Sequence, residues 1–310
     1  MKGLVLKSTG NNYKVKDENG NIIDCRIKGK LRLKGVRSTN PIAVGDNVFF
    51  DFENETSGLI TDIADRKNYI IRKASNLSKE SQIIAANVDM AYIVVTIHSP
   101  QTLLQFIDRF LVTAEAYGIP CTILINKYDL FQSAEDQQII AEWKEIYRLA
   151  GYDILCISTK TGENIDELKH RLAEKISVLS GNSGVGKTSI IQAVTNQTEL
   201  KISEISKSFH KGQHTTTFAE MYETENNGAI IDTPGVKAFG LLDMKSEEIS
   251  QYFPEIFKYS SDCQFYNCTH SHEPKCNVIK AVEEGKIAIS RYEHYLTFMD
   301  DKNVKHREAQ

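Results

Sequence analysis

No apolar run in this chain approaches the roughly 18 residues that a membrane-crossing helix requires. The segment Gly3-Leu4-Val5-Leu6 is far too short for the apolar region of a secretory signal, so no leader and no membrane contact are expected. Six cysteines in 310 residues make no disulfide framework. Cys25, Cys121 and Cys156 stand alone, the last two inside apolar runs, and the other three cluster near the C-terminus. That usage suits a reducing cytoplasm. Internal repeats and low-complexity tracts are missing too, which excludes solenoid and compositionally disordered architectures.

A marked excess of one charge is absent overall, but the charge is unevenly placed. The net charge is −4, with hydrophobic residues at 41% and charged residues at 25%, as in ordinary globular proteins. Residues 1–40 carry ten Lys/Arg against three Asp/Glu, a balance of +7, which leaves −11 on the remainder. A basic N-terminal module on an acidic body is a layout suited to RNA. A solvated strand surface would carry the same charge without binding anything.

The pattern along the chain divides it in three. Residues 1–67 read as short alternating strands, such as Asn47-Val48-Phe49-Phe50-Asp51-Phe52, broken by turns at Asn11-Asn12, Glu18-Asn19-Gly20-Asn21 and Val44-Gly45-Asp46. A small β-barrel of the OB type fits. The polar stretch Arg72–Glu80 reads as a connection. From about Asn87 to residue 245 strands alternate with helices. Apolar runs at Ala91–Ile97, Cys121–Ile125, Ile154–Ile157 and Ile176–Ser180 predict buried strands. Leu103, Leu104, Ile107, Phe110, Leu111 and Ala114 predict one face of a helix that stops at Gly118. Ser133 with Asp136, and Asn164 with Glu167, predict two further helix starts. Alternation of this kind predicts a doubly wound parallel sheet with its ligand loops at the carboxyl ends of the strands. The third part, 246–310, reads as helical around a Cys/His knot.

Gly181-Asn182-Ser183-Gly184-Val185-Gly186-Lys187-Thr188 fits the G-x-x-x-x-G-K-[ST] phosphate loop. Successive backbone N–H groups wrap a β-phosphate there, and the following helix adds its dipole. Lys187 is placed to contact the β- and γ-phosphates, and Thr188, followed by Ser189, to offer a hydroxyl to Mg²⁺. Asn126-Lys127-Tyr128-Asp129 fits the guanine signature N-K-x-D. The Asp129 carboxylate is an acceptor pair that matches the N1–H and N2–H₂ donors of guanine. Adenine presents a lone pair at N1, so a buried carboxylate rejects it. Lys127 can lay its stem along the base, and Asn126 can tie the loop to its neighbours. Ser158-Thr159-Lys160 follows the next strand, in the position of a second guanine-contacting loop; the tripeptide has weight only through that position.

Two switch segments complete the set. Asp232-Thr233-Pro234-Gly235 follows the strand Ala229-Ile230-Ile231, so Asp232 is placed for water-mediated Mg²⁺ binding and the Gly235 N–H for the γ-phosphate. Val236 stands where many GTPases carry a water-orienting glutamine. Gly212-Gln213-His214-Thr215-Thr216-Thr217 lies between the phosphate loop and Asp232. Thr216 is the expected second Mg²⁺ hydroxyl. His214 is the expected group to orient water, because imidazole accepts a proton near neutral pH. In the third part, Cys263, Cys268, His270 and Cys276 form C-x₄-C-x-H-x₅-C. Three thiolates and an imidazole suit a closed, structural, tetrahedral Zn²⁺ site, with His272 as a competing ligand.

The guanine signature precedes the phosphate loop, which rotates the usual order. The succession N-K-Y-D, S-T-K, G-N-S-G-V-G-K-T, G-Q-H-T-T-T, D-T-P-G and C-x₄-C-x-H-x₅-C resembles the circularly permuted ribosome small-subunit-dependent GTPases, the RsgA/YjeQ family. Val44-Gly45-Asp46 and Asn87-Val88-Asp89 belong to the same resemblance, which covers nearly the whole chain. It implies an N-terminal OB-fold β-barrel, a central circularly permuted α/β GTPase and a mostly helical zinc-binding C-terminal domain. It implies GTP and GDP as ligands, Mg²⁺, one structural Zn²⁺, and a cytoplasmic monomer that binds the small ribosomal subunit and its rRNA during late maturation. The family's guanine contacts carry onto Asn126, Lys127 and Asp129, its phosphate contacts onto Gly181 through Ser189, its switch histidine onto His214 and its zinc ligands onto Cys263, Cys268, His270 and Cys276. The family commonly has Arg before that histidine, where this chain has Gln213.

The alternatives are a non-catalytic RNA-binding module that uses GTP as a folding ligand, and an ATPase or nucleotide-dependent RNA-modifying enzyme. Asp129 argues against ATP. A catalytic His214 makes a separable prediction. His214→Ala lowers GTP turnover far more than GTP affinity, measured by single-turnover hydrolysis beside equilibrium binding. Unchanged turnover removes His214 from the mechanism.

Overall fold

The computed structural model describes residues 1–27, 41–72, 82–195, 219–232, 244 and 246–307. The alternation read in the N-terminal part folds as five strands, β1 (Lys2–Ser8), β2 (Asn12–Asp17), β3 (Ile22–Ile27), β4 (Asn47–Phe52) and β5 (Ser57–Ile63). Val5, Tyr13, Val15, Ile23, Cys25, Val48, Phe50 and Ile60 point inward and form its core. Strand β1 pairs with both β2 and β4, and β3 pairs in parallel with β5, which closes the sheet into a barrel. Closure leaves few free edges.

Two short strands that the sequence did not announce follow, β6 (Tyr69–Arg72) and β7 (Gln82–Ala86), paired antiparallel. Of the expected connector Arg72–Glu80 only Arg72 is described, as the last residue of β6; residues 73–81 lie outside the described residues. The Val44-Gly45-Asp46 turn docks on β7. Ala86 N–H donates to the Val44 carbonyl at 2.9 Å, and Asn87 Nδ2 donates to the Gly45 carbonyl at 2.9 Å. A Cβ on Gly45, whose φ is +91°, would lie 2.1 Å from the Ala86 carbonyl oxygen, so only glycine fits. Arg66 clamps the same turn through the buried Asp46.

The α/β alternation appears as β8 (Met90–Val95), β9 (Cys121–Ile125), β10 (Asp153–Cys156), β11 (Ile176–Gly181), β12 (Glu220–Glu223) and β13 (Ala229–Asp232), interleaved with α1 (Leu104–Ala116), α2 (Ala134–Leu149), α3 (Ile165–Leu172) and α4 (Lys187–Val194). Strand order is β10-β9-β8-β11-β13-β12, parallel through β13, with β12 antiparallel at the end. Helices α1 and α2 pack on one face and α3 and α4 on the other. Strand β12 also pairs with β1 of the barrel, so one sheet of eleven strands runs through both domains.

One local expectation is corrected. Leu103 does not share the buried face of α1: it caps the helix in an extended conformation and is 64% exposed. Asn164 does open α3 as expected, in a left-handed conformation with its side chain donating to the Cys156 carbonyl rather than capping the helix. Ser133 does cap α2, accepting from the Asp136 N–H at 3.1 Å.

The C-terminal part carries α5 (Pro254–Ser260), α6 (Asn277–Glu283) and α7 (Ile289–Arg307). It meets the GTPase sheet through α1. Arg291 of α7 is fully buried, donating to Glu255 of α5 at 2.7 Å and to Asp108 of α1 at 2.9 Å. His294 and Tyr147 also hydrogen-bond Asp108, and Phe253 lies under the guanidinium. Burial pushes the Asp108 carboxyl up, but the Arg291 charge and the His294 contact outweigh it and hold the group below its ordinary value. Its stabilising contribution is thus present above the unfolded carboxylate value of about 3.9 and is lost as pH falls through the lower folded value. Removing Arg291 strands two buried carboxylates. Arg291→Ala is expected to cost about 3–5 kcal/mol in denaturant unfolding. A cost near zero would show that the network does not hold the C-terminal part on α1.

Candidate nucleotide site and metal knot

The loops that carry the nucleotide signatures leave the carboxyl ends of β9, β10, β11 and β13, on one edge of the sheet. Parallel strands impose that convergence. The two halves of the signature, separated by 59 residues, touch directly: Asn126 Nδ2 donates to the Val185 carbonyl at 2.8 Å. Gly186 makes the approach possible. A Cβ there would lie 2.3 Å from Asn126 Nδ2, and its φ is +96°. Asn126 is buried, and its Oδ1 has no partner.

Lys127 takes a left-handed conformation and donates to the Ser99 carbonyl at 2.7 Å. Asp129 is organised from two sides. Ser158 Oγ donates to its Oδ1 at 2.7 Å, and Lys160 Nζ stands 3.7 Å from its Oδ2. The S-T-K tripeptide therefore does meet the N-K-Y-D loop. Nucleophilic or acid–base chemistry is not what this arrangement offers. It offers a fixed acceptor pair beside an apolar lysine stem, which is a recognition surface for a base edge.

Residues Asn182, Ser183, Gly184 and Val185 form the bend between β11 and α4, with Ser183 and Gly184 exposed. Gly181 (φ +150°) and Gly184 (φ +83°) supply conformations that side chains resist. A Cβ on Gly181 would press within 2.3 Å of the Val94 carbonyl oxygen. Lys187 opens α4 and folds back, donating to the Gly181 carbonyl at 2.8 Å and the Asn182 carbonyl at 2.9 Å. Burial lowers the Lys187 ammonium pKa, and the Asp232 charge opposes that fall. Burial likewise raises the Asp232 carboxyl, with Lys187 pulling it down. Each group is therefore the other's counter-charge at the end of β13. Thr188 and Ser189 occupy the first turn of α4, with Ser189 exposed. The donor set fits a phosphate chain with a cation: exposed backbone donors, one ammonium, one hydroxyl and one carboxylate.

His214, Thr216, Gln213, Gly235 and Val236 lie outside the described residues. Sequence reasoning missed the loop from Thr96 to Thr102. Its Ser99 carbonyl holds Lys127, and its Pro100 stands 3.6 Å from where a Gly184 Cβ would be. Ser99-Pro100 is a cis peptide bond. Ser-Pro after an apolar strand was the available signal.

The second candidate site is the C-terminal knot. The ligand atoms of Cys263, Cys268, His270 and Cys276 all lie within 4.8 Å of one another. Cys263 Sγ is 3.8 Å from Cys276 Sγ, and His270 Nδ1 is 3.6 Å and 3.5 Å from those two sulfurs. A tetrahedral ion with metal–sulfur bonds of about 2.3 Å has sulfur–sulfur edges of about 3.8 Å, so the spacing fits. His272 is not part of the group: it is exposed, and its Nδ1 lies against Ser271. Glu273 ties the loop, accepting from the Thr269 N–H and hydroxyl. Burial pushes the Glu273 carboxyl up, but those hydrogen bonds hold it far below the ordinary carboxylate range. Tyr292 and Tyr295 of α7 donate to the His270 and Thr269 carbonyls, which fixes the knot to the helix.

Comparison with known proteins agrees with this geometry. Residues 63–242 match the RsgA GTPase family model, and residues 2–60 match the RsgA N-terminal domain model. The chain is 50% identical to the small ribosomal subunit biogenesis GTPase RsgA of Christiangramia forsetii, over 99% of this chain and 98% of that one. It is also 50% identical to the protein of that name from Bacteroides fragilis, over the full length of both. A crystal structure of YjeQ from Thermotoga maritima superimposes with a TM-score of 0.78 at 35% identity, covering 97% of this chain and 98% of that one. The structure of YloQ, described as a circularly permuted GTPase, gives 0.75 at 31% identity, covering 98% and 95%. Full-length identity at this level, on a fold whose guanine loop and phosphate loop meet in rotated order, places the chain in the RsgA GTPase family, as a GTP hydrolase with circularly permuted topology.

Proposed function

We propose that the chain binds the small ribosomal subunit through its rRNA, acts in late maturation of that subunit, and hydrolyses GTP to GDP and phosphate at a rate the subunit stimulates. The observation that carries the guanine half is the direct tie between Asn126 and Val185, beside an Asp129 carboxylate held by Ser158. The names of the full-length relatives support the subunit as partner. In this reading Asp129 accepts from the guanine N1–H and N2–H₂, with Lys127 along the base and Asn126, Ser158 and Lys160 shaping the loop.

The backbone from Gly181 through Ser189 cradles the phosphates. Lys187 leaves its two carbonyls for the β- and γ-phosphates, and Gly235 meets the γ-phosphate. Thr188, Thr216 and Asp232 are the residues that would hold Mg²⁺, which would supply positive charge beside the phosphate oxygens. His214 orients the attacking water, because Val236 cannot. Cys263, Cys268, His270 and Cys276 hold one Zn²⁺ in a structural role, since four protein ligands leave no open position. The working divisions are an RNA-binding barrel at 1–67, the GTPase at 68–245 and the zinc-binding part at 246–310. The protein works in the cytoplasm as a monomer. No described helix is long and apolar enough to cross a membrane.

A second reading, a non-catalytic GTP-binding module on RNA, shares every recognition contact and differs only in turnover. The deciding experiment is GTP hydrolysis by the full chain, alone and with purified small subunits, with ATP as control. We expect a large stimulation by the subunits with GTP and none with ATP. Subunit binding without faster turnover would establish the non-catalytic module.

A further inference from the structure

The barrel meets the GTPase domain at two joints of different character. The Val44-Gly45-Asp46 turn on β7 is buried and leaves no room for a side chain on Gly45. It acts as a pivot. The second joint is the edge of β12. There β1 and β12 share the register pair Lys7 and Glu220. Lys7 Nζ donates to Glu220 Oε1 at 2.9 Å, and Lys16 of β2 pairs with Glu223 at the other end of the strand. Side-chain exposure is 34% for Lys7 and 37% for Glu220, and pairs this exposed add little to stability. Their importance lies in where they attach.

Strand β12 is four residues long and, with β13, spans the chain between the two switch segments. Glu220 follows Thr216 by four residues and His214 by six. Across the sheet it stands opposite Asp232. Tyr222 connects the strand to the core behind the phosphate loop, and its hydroxyl lies 3.4 Å from Glu220 Oε2. Hydrogen-bonded strands keep a fixed separation, so a shift of β1 moves β12 with it. The barrel therefore grips the described strand that follows the first switch segment and that pairs with β13, the strand ending in Asp232.

We propose that Lys7 and Glu220 are positioning residues for GTP hydrolysis. Their contact transmits the seating of the barrel on RNA to Asp232, which Glu220 faces across β12 and β13. The inference rests on the reading that the small subunit triggers hydrolysis, and it assigns the route to β1 and β12.

A charge-reversal cycle in the full chain tests the assignment. Lys7→Glu, Glu220→Lys and the double variant are compared for kcat with saturating small subunits, for the KM for subunits, and for affinity for a non-hydrolysable GTP analogue. Each single reversal is expected to lower subunit-stimulated kcat about tenfold, the scale of a typical coupling between sites. The KM for subunits is expected to change less than kcat, because the Lys7 ammonium is engaged by Glu220. The double variant, which restores an ion pair, and Lys7→Arg, which keeps the cation, are expected to recover most of the wild-type rate. Single variants with wild-type stimulated kcat overturn the proposal, as does a double variant no faster than the singles. A wild-type protein without stimulation refutes the subunit-triggered reading and this coupling with it. A stimulated wild type with indifferent variants refutes the coupling alone.

Discussion

The nucleotide site depends on one buried hydrogen bond. Asn126 Nδ2 reaches the Val185 carbonyl across 59 residues of sequence, through the space that a side chain on Gly186 would fill. It joins the N-K-Y-D loop to the G-N-S-G-V-G-K-T loop. Because the two loops leave strands on either side of β8, their meeting requires β9, β8 and β11 to lie parallel and in register. Rotating the chain order changes none of this. The loops must converge in space, and sheet order fixes convergence whichever half is made first.

The same constraint explains how the outer parts are attached. The C-terminal part does not touch the sheet directly through its knot. It reaches α1 through Arg291, whose charge is balanced by Asp108 and Glu255 within the core. An ion network of that kind adds little net energy over an apolar contact, but it accepts only one geometry. The barrel is held differently, by a turn without slack and an exposed strand edge. One neighbour of the GTPase domain is thus held on α1 by that network, and the other is seated on β12.

Much of this was legible in the sequence, for a chemical reason. Phosphate loops, guanine loops and tetrahedral metal sites each require particular residue types at particular spacing, so Gly181–Thr188, Asn126–Asp129 and Cys263–Cys276 announce themselves. The barrel strands were legible because one buried face forces strict alternation. What could not be read depends on distant pairing. Nothing local marks Arg291 as a buried cation, because its partners Asp108 and Glu255 are 183 and 36 residues away. The joint between Lys7 and Glu220 spans 213 residues. Strands β6 and β12 are four residues each, too short for periodicity to register. Leu103 fitted the apolar stripe of α1 by spacing, yet it lies before the first turn, where the stripe no longer faces the sheet.

The central claim is that the rotated halves form a single guanine site read by Asp129. Competition binding with GDP, IDP and ADP tests it most directly. The account predicts GDP tightest, IDP weaker because inosine lacks the N2 amino group, and ADP weaker still because adenine meets the carboxylate with a lone pair. ADP binding as tightly as GDP would contradict the account.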